Sequence, residues 1–533
     1  ESSMNPATAH DVVILGGGLA GLCLALQLRQ RFADLDIVVL ERNTFPLPVA
    51  AHKVGESTVE IGANYFEKTL GLREHLDGAH IRKFGFRFFW SEGRRDVENV
   101  TELGVSVVLP TPTWQLDRGI FENHLAERVR AAGITLHAGA VARGVDFGTG
   151  DAHHEVRASM EGEDRVFAAR WVVDASSRSS IIKRKLGLAE ANGHDCNAVW
   201  FRINTCLSMD EWITDARWQQ RCSPPERWRS TNHLCGEGYW VWLIPLGSGA
   251  HSVGIVCDPA IHPLDRMNTF ERALDWLREF QPLVADACER HRDKLLDFRF
   301  LRGFSHGCKQ LYSGDRWALT GEAGVFLDPF YSPGSDFIAM SNTYVTELIA
   351  LDRADKPLGP YARLFEQLYR SFYENTMSLF RGQYPIFGDA EVMSMKVIWD
   401  YTYYWAVLCQ LVFQNRLTDT ALLGEMQAEL AEASQLNRDM QAFLLRWYAV
   451  SPRPNARIMF DQRELDWFVE LNARLHDTLD DAGVRERLRQ GLAQMRSLAA
   501  TTVARANAAC PQLDCSGLPS QADASTPLFT FVA

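Results

Sequence analysis

The sequence predicts an α/β fold in three parts: a Rossmann-type unit, an antiparallel sheet inserted into it, and a helical C-terminal region. Three observations carry this reading. Asp11-Val12-Val13-Ile14-Leu15 is a short apolar run of the kind that forms a buried parallel strand. It runs into a glycine turn, a helical stretch and a second apolar run, Asp36-Ile37-Val38-Val39-Leu40, that ends at Glu41. Residues 337–500 are rich in Leu, Ala, Glu, Gln and Arg at helical spacing.

Taken in order, Gly16-Gly17-Gly18-Leu19-Ala20-Gly21 joins the first strand to a helix over Leu22 to Arg31. Gly16, Gly18 and Gly21 fit GxGxxG, whose glycines allow a tight turn, backbone approach to a pyrophosphate, and helix-on-strand packing. The N–H groups of Gly18, Leu19 and Ala20 then open the helix, where an anion is favoured. Glu41, followed by Arg42, lies 20 residues beyond Gly21, where a carboxylate can bind ribose hydroxyls. Val105 to Leu109, Thr135 to His137 and Trp171 to Asp174 read as further strands. Val199 to Ile203 and Trp240 to Ile244 read as strands of the inserted sheet. The expected parts are 8–195 and 311–345 for nucleotide binding, 196–310 for the sheet, 346–505 for the helices, and 506–533 for an irregular tail.

Composition excludes several classes. A net charge of −12 argues against a nucleic-acid partner. No stretch of about 18 uncharged apolar residues offers a membrane span. Glu1 to Asn5 show no export signal, and Met4 behind Glu1-Ser2-Ser3 reads as a natural start. The 11 cysteines form no CxxC pair, so reduced thiols in a cytoplasmic protein are expected, although Cys510 and Cys515 are near enough to pair. No metal-ligand spacing is present.

The glycine fingerprint does not decide between FAD and NAD. Arg118, ahead of the amphipathic stretch Phe121 to Ala131, resembles a flavoprotein arginine. Val173-Asp174-Ala175-Ser176 resembles the strand end near the adenine, and Gly321-Glu322-Ala323-Gly324 with Pro329 resembles a second flavin motif. That motif usually carries Asp where this chain has Glu322. Together they imply FAD on a fold of the glutathione-reductase and aromatic-hydroxylase type. A second glycine fingerprint for NAD(P)H is absent, which suggests reduced flavin from a separate reductase.

Trp240-Val241-Trp242-Leu243-Ile244-Pro245 matches the WxWxIP motif of the flavin-dependent halogenases. Without that context it is a strand with two same-face indoles, Trp240 and Trp242, closed by Pro245. Gly55-Glu56-Ser57-Thr58, preceded by Lys53, resembles a segment near the flavin in that family. Lys83-Phe84-Gly85-Phe86-Arg87-Phe88 resembles the segment carrying the family's active-site lysine. The resemblance spans roughly residues 8–345. It implies that reduced FAD and O2 turn chloride or bromide into hypohalous acid. The indoles would guard the flavin side of a tunnel, and Lys83 would pass halogen to an electron-rich aromatic carbon. The alternative for Lys83 is a surface lysine on a strand edge.

Leu327-Asp328-Pro329-Phe330-Tyr331-Ser332-Pro333-Gly334 resembles the family's flavin loop, which in tryptophan halogenases carries Glu-Ser-Thr-Gly. Tyr331 stands at the Glu position, beside Ser332, so a phenolic, pyrrolic or carrier-bound substrate is expected rather than free tryptophan. Pro333 and Gly334 hold the halide-binding positions, and proline has no N–H to donate. A flavin monooxygenase or dehydrogenase without halide chemistry is therefore the competing reading, with a non-catalytic flavin binder behind it. Tyr401 to Trp405 either line an apolar substrate cavity or pack a helix core.

Overall fold

The computed structural model describes residues 9–51 and 53–531. The expected start at Met4 lies outside the described residues. Two compact units emerge. The first takes residues through Ala79, then Leu116–Gly193 and Ser305–Tyr373; the second takes His80–Gln115, His194–Phe304 and Glu374 onward.

The first unit is built on a seven-stranded sheet. Thr135–Ala138, Ile37–Glu41, His10–Leu15 and Glu163–Asp174 lie side by side and parallel, and Trp317–Leu319 pairs parallel with the last of them. His154–Met160 and Ala140–Asp146 extend the sheet in antiparallel fashion. Val12 to Leu15 are fully buried, which explains a central strand with no polar alternation. Helix Gly334–Arg353 belongs to this unit. It packs so closely on helix Glu60–Asn64 that a Cβ at Gly62 would lie 2.5 Å from the Ser335 Cβ. The Gly62 N–H donates to Asp336 Oδ1 at 2.7 Å, which fixes the start of the longer helix.

The second unit carries an eight-stranded sheet. Its order is Leu295–Leu301, Asn197–Ile203, His251–Cys257, Tyr239–Pro245, Thr231–Gly236, Phe86–Phe89, Glu102–Gly104 and Met459–Asp461. The expected antiparallel sheet is in fact mixed. Phe86–Phe89 lies parallel to Thr231–Gly236, and Met459–Asp461 lies parallel to Glu102–Gly104. Residues 80–115 belong to this unit rather than to the expected nucleotide-binding stretch 8–195. Their apolar residues complete this sheet. The expected strand over Val105 to Leu109 is displaced to Glu102–Gly104. Beyond it the chain heads for Pro110 and Pro112, and the Ser106 N–H turns to Asp461 Oδ1 at 3.0 Å instead of a ladder.

Alternation sorts this sheet's two faces. Tyr239, Val241, Leu243, Leu234 and Phe89 join one apolar core with Trp276, Leu277 and Val284, from helices Phe270–Phe280 and Pro282–Arg290. Trp240, Trp242, His233 and Phe88 point to the other face. The C-terminal helices, interrupted by the short strand Met459–Asp461, run on to Ala509, slightly past the expected boundary at 505. Among the described residues no helix is long and apolar enough to cross a membrane. All 11 cysteines are free thiols, including Cys510 and Cys515.

Glu102 opens the strand Glu102–Gly104, fully buried, because two arginines need it. Its carboxylate accepts from Arg87 Nη1 at 2.6 Å and Arg227 Nε at 2.7 Å, and all three side chains are buried. Burial alone would raise the Glu102 carboxyl, but Arg227 and Arg87 hold it below the ordinary carboxylate value. Removing one member of such a group strands the others' charge. Glu102→Gln is expected to lower the unfolding free energy by about 3–5 kcal/mol, measured by urea denaturation.

Candidate active site

In the first unit the glycine turn leaves backbone where an anion would lie. Gly16 has φ +99°, and a Cβ there would sit 2.4 Å from the Ala175 carbonyl oxygen. A Cβ at Gly21 would sit 1.9 Å from the Gly16 oxygen, so helix and strand touch through bare backbone. Gly18 differs: its Cβ would meet only Glu122 Oε1 at 3.4 Å and Lys53 Nζ at 3.9 Å. The space in front of Gly18, Leu19 and Ala20 is therefore bounded by charge. Lys53 Nζ lies 2.5 Å from Glu122 Oε1, and Arg118 Nε lies 3.1 Å from Glu122 Oε2. Two cations share one buried carboxylate at the start of helix Leu19–Arg31, leaving net positive charge for a pyrophosphate. Sequence reading found Lys53 and Arg118 but missed Glu122; its place one turn after Arg118 is the signal that could have shown it.

Glu41 is held on both oxygens. It accepts from Gly17 N–H at 2.9 Å and Asn43 N–H at 2.9 Å, which sets its carboxylate at the strand's end. Arg42, next to it, is exposed. Glu56 and Ser57 are buried, and the Glu56 carbonyl accepts from Leu116 N–H at 2.7 Å. Asp174 is fully buried and spends its oxygens on its own surroundings: Ser176 N–H at 2.9 Å, Ser176 Oγ at 2.5 Å and Ile182 N–H at 2.9 Å. It shapes the turn after the strand. Glu322, in the turn Gly321–Ala323, is part-exposed and lies 3.5 Å from Arg178.

The loop into helix Gly334–Arg353 is unusual. Tyr331 and Ser332 both adopt positive φ, at +67° and +52°. Non-glycine residues take this region at a cost of about 1–3 kcal/mol each. The Ser332 N–H turns back to the Pro329 carbonyl at 2.9 Å, and Tyr331 is buried with its ring 4.3 Å from that of Phe330. Pro333 caps the helix and lends its carbonyl to Phe337 N–H. Gly334 is exposed, and a Cβ there would meet nothing within 4 Å. Its N–H and that of Ser335 begin the helix, so anion capacity starts after the proline.

The second unit holds Lys83 and the indole pair. Lys83 lies in the turn before strand Phe86–Phe89, and at 2% exposure it is not the surface lysine weighed as an alternative. Its backbone N–H donates to the Thr113 carbonyl, and its Nζ sits 3.3 Å from the centre of the Phe86 ring. Trp240 and Trp242 are buried with ring centres 5.7 Å apart. The Trp240 indole N–H donates to Tyr384 Oη at 3.0 Å, and that of Trp242 to Ser252 Oγ at 3.0 Å. Gly254 exists to seat Trp242, since a Cβ there would lie 2.1 Å from the indole. Pro245 closes the strand.

His233, which sequence reading missed, lies between these groups. Its ring is 4.4 Å from Phe88, 5.4 Å from Phe86 and 5.2 Å from Trp240. Burial and then the nearby Lys83 charge push its pKa down to about 3, despite a hydrogen bond to the Arg87 carbonyl. Its position opposite Trp242 in the strand ladder is visible only once register is known. Tyr401 packs on Phe86 at 5.5 Å and on Trp405 at 5.3 Å. It therefore belongs to the wall around Lys83, and the helix widens by a π-helical turn at Tyr404–Leu408 beside it.

A family described as an FAD binding domain matches residues 9–250. A flavin-dependent halogenase of Dictyostelium discoideum, chlA, is 26% identical over 75% of this chain and 70% of its own length. A 1H-pyrrole-2-carbonyl-[peptidyl-carrier protein] brominase of Pseudoalteromonas luteoviolacea is 24% identical over 67% and 82% respectively. Residues 9–250 thus match an FAD binding domain, and the chain is similar to flavin-dependent halogenases. It is an FAD-dependent oxidoreductase, and its relatives use halide. The solved structure of halogenase PltM shares the fold, with TM-score 0.63 and 17% identity over 92% of this chain and 97% of that one.

Two expectations follow for this FAD-binding chain. Gly18→Ala should fold normally yet weaken FAD binding by about tenfold or more, because its methyl occupies phosphate space and not protein space. Gly21→Ala should lower the melting temperature as well, since it must displace the Gly16 carbonyl; flavin fluorescence titration and thermal melts separate the two. His233 stays uncharged when folded, so the unfolded chain binds its proton first as pH falls. Stability should therefore fall with acidification from about pH 6.5, and His233→Phe should flatten that slope by about one proton in pH-dependent denaturation.

Proposed function

We propose that the chain uses reduced FAD, O2 and chloride or bromide to halogenate an electron-rich aromatic, with Lys83 carrying the halogen to carbon. The observation that carries this reading is a buried lysine amine 3.3 Å from an aromatic ring centre, on the sheet that also bears the paired indoles. An amine in a dry aromatic setting keeps electrophilic halogen from being lost to bulk water. When bound, FAD supplies the electron pair that lets O2 oxidise halide. Lys53, Arg118 and the glycine turn would hold its pyrophosphate, and Glu41 its ribose. Gly334 and Ser335 N–H groups would face an anion at the helix start.

The substrate is proposed to be phenolic, pyrrolic or carrier-bound. Such rings push electrons from their own heteroatom, which suits a loop with Tyr331 and Ser332 where tryptophan-directed members carry Glu. The Pseudoalteromonas relative, named for a carrier-bound pyrrole, supports the same direction. A separate flavin reductase and a cytoplasmic setting complete the proposal.

A second reading, oxygenation or dehydrogenation without halide, is favoured by Pro333. Its missing N–H removes an anion donor, at a cost of about 1–3 kcal/mol of halide affinity. Supplying reduced FAD, O2, bromide and a phenol distinguishes the two by product mass: halogen in the product upholds the first reading, oxygen alone the second. Lys83→Met should lower halogenation by at least about 100-fold, with FAD binding unchanged; full activity in that variant removes Lys83 from the chemistry.

A further inference from the structure

We propose that His233 is a halogen relay, whose Nε2 takes halogen from hypohalous acid and hands it to the Lys83 amine. This rests on the halogenating function proposed above. His233 Nδ1 lies 3.1 Å from the Arg87 carbonyl oxygen. A carbonyl can only accept, so Nδ1 carries the proton and Nε2 carries the lone pair. The ring is fully buried, stacked on Phe88 at 4.4 Å and 17°. Phe86 touches both partners: Lys83 Nζ sits over its face, and the His233 ring meets it at 5.4 Å. Trp240 stands 5.2 Å away on the other strand. A phenylalanine would suit these neighbours at lower desolvation cost; a histidine adds a nucleophilic nitrogen. Its neutrality at assay pH keeps that lone pair available.

Two other buried histidines of this unit have structural work. His262 accepts from Trp276 Nε1 at 3.2 Å and bonds the Glu237 carbonyl at 2.8 Å. His251 Nδ1 accepts from the Leu207 N–H at 3.2 Å. The Nδ1–H of His233 instead bonds the strand that follows Lys83.

The step balances without a further oxidant. The Nε2 lone pair attacks the halogen of hypohalous acid, an N–X bond forms, the O–X bond breaks and hydroxide leaves. That hydroxide takes a proton from the Lys83 ammonium, giving water; the freed amine then attacks the halogen, and the N–X electron pair returns to the imidazole. The resulting haloammonium, far more acidic than an alkylammonium, releases one proton to solvent and leaves the lysine haloamine. The proton stays on Nδ1, donated to the Arg87 carbonyl, throughout, so the ring is regenerated in its starting tautomer. Halogen on an imidazole is more labile than on an alkyl amine, which sets the direction of transfer. The relay also offers the oxidant a faster acceptor than the nearby indole.

The test is a single turnover of the flavin-loaded protein with O2 and bromide but no aromatic acceptor. Bromine on the Lys83 peptide is read by mass spectrometry, and flavin reoxidation by absorbance. His233→Phe keeps the packing, and His233→Gln keeps a donor for the Arg87 carbonyl while removing the imidazole. Both variants are expected to lose at least about tenfold of the Lys83 bromination, with flavin reoxidation within about twofold of the parent. A variant that binds FAD and still brominates Lys83 as the parent does overturns the relay. If the parent protein places no bromine on Lys83 and makes no halogenated product, the halogenating function itself falls, before any His233 variant is considered.

Discussion

A lysine amine buried among aromatic rings is the constraint around which the second unit is arranged. Moving a charge from water costs several kcal/mol unless the site repays it. The Phe86 face returns part of this, since a cation over an aromatic ring gains about 0.5–2 kcal/mol as it is desolvated. The arrangement requires Phe86 to hold its place, and that is why so much of the neighbourhood is rigid. Phe86 opens a strand locked in parallel to Thr231–Gly236, Tyr401 covers its edge, and Arg87 next to it points the other way into the Glu102 and Arg227 group. One strand thus alternates an aromatic face that serves Lys83 with an ionic face that anchors the sheet.

The same alternation explains the tryptophan motif. Residues two apart on Tyr239–Pro245 must share a face, so Trp240 and Trp242 look toward the His233 side while Val241 and Leu243 enter the apolar core. Each indole N–H finds a hydroxyl, on Tyr384 or Ser252. The indoles are therefore fixed in orientation as well as buried, and any reagent reaching that face meets an ordered aromatic wall.

Much of this was legible in the sequence where the signal is local. The glycine turn, its flanking strands and Glu41 follow from spacing and backbone sterics, and Gly16 and Gly21 prove to have no room for a side chain. Lys83 and the indoles were legible through family motifs. What escaped depends on contacts between distant segments. Glu102 in a strand looks wrong until Arg227, 125 residues away, is beside it. Residues 80–115 look like part of the nucleotide-binding stretch until register joins Phe86 to Thr231. His233 carries no motif at all, and only its neighbours distinguish it from a core residue. Glu122 had a local signal one turn after Arg118, but its pairing with Lys53 crosses 69 residues and is not local.

Tyr331, Ser332 and Pro333 pose the sharper physical question, because they spend backbone strain in a place where an anion donor is missing. Two successive residues at positive φ cost energy that nothing in a connecting loop requires. The bend they make turns the Ser332 N–H inward to Pro329, so neither Ser332 nor Pro333 offers a backbone hydrogen to an outside group. What the strain does accomplish is to bring the chain to Gly334 at the first turn of a 20-residue helix, with open space where a side chain would stand. An anion there would depend on the helix terminus more than on the loop. The terminus contributes partial positive charge and two N–H groups, and these attract any small anion without selecting its size. Were halide to bind there, selectivity between halides would have to come from the space beside Gly334, because the terminal charge alone does not select an ion's size.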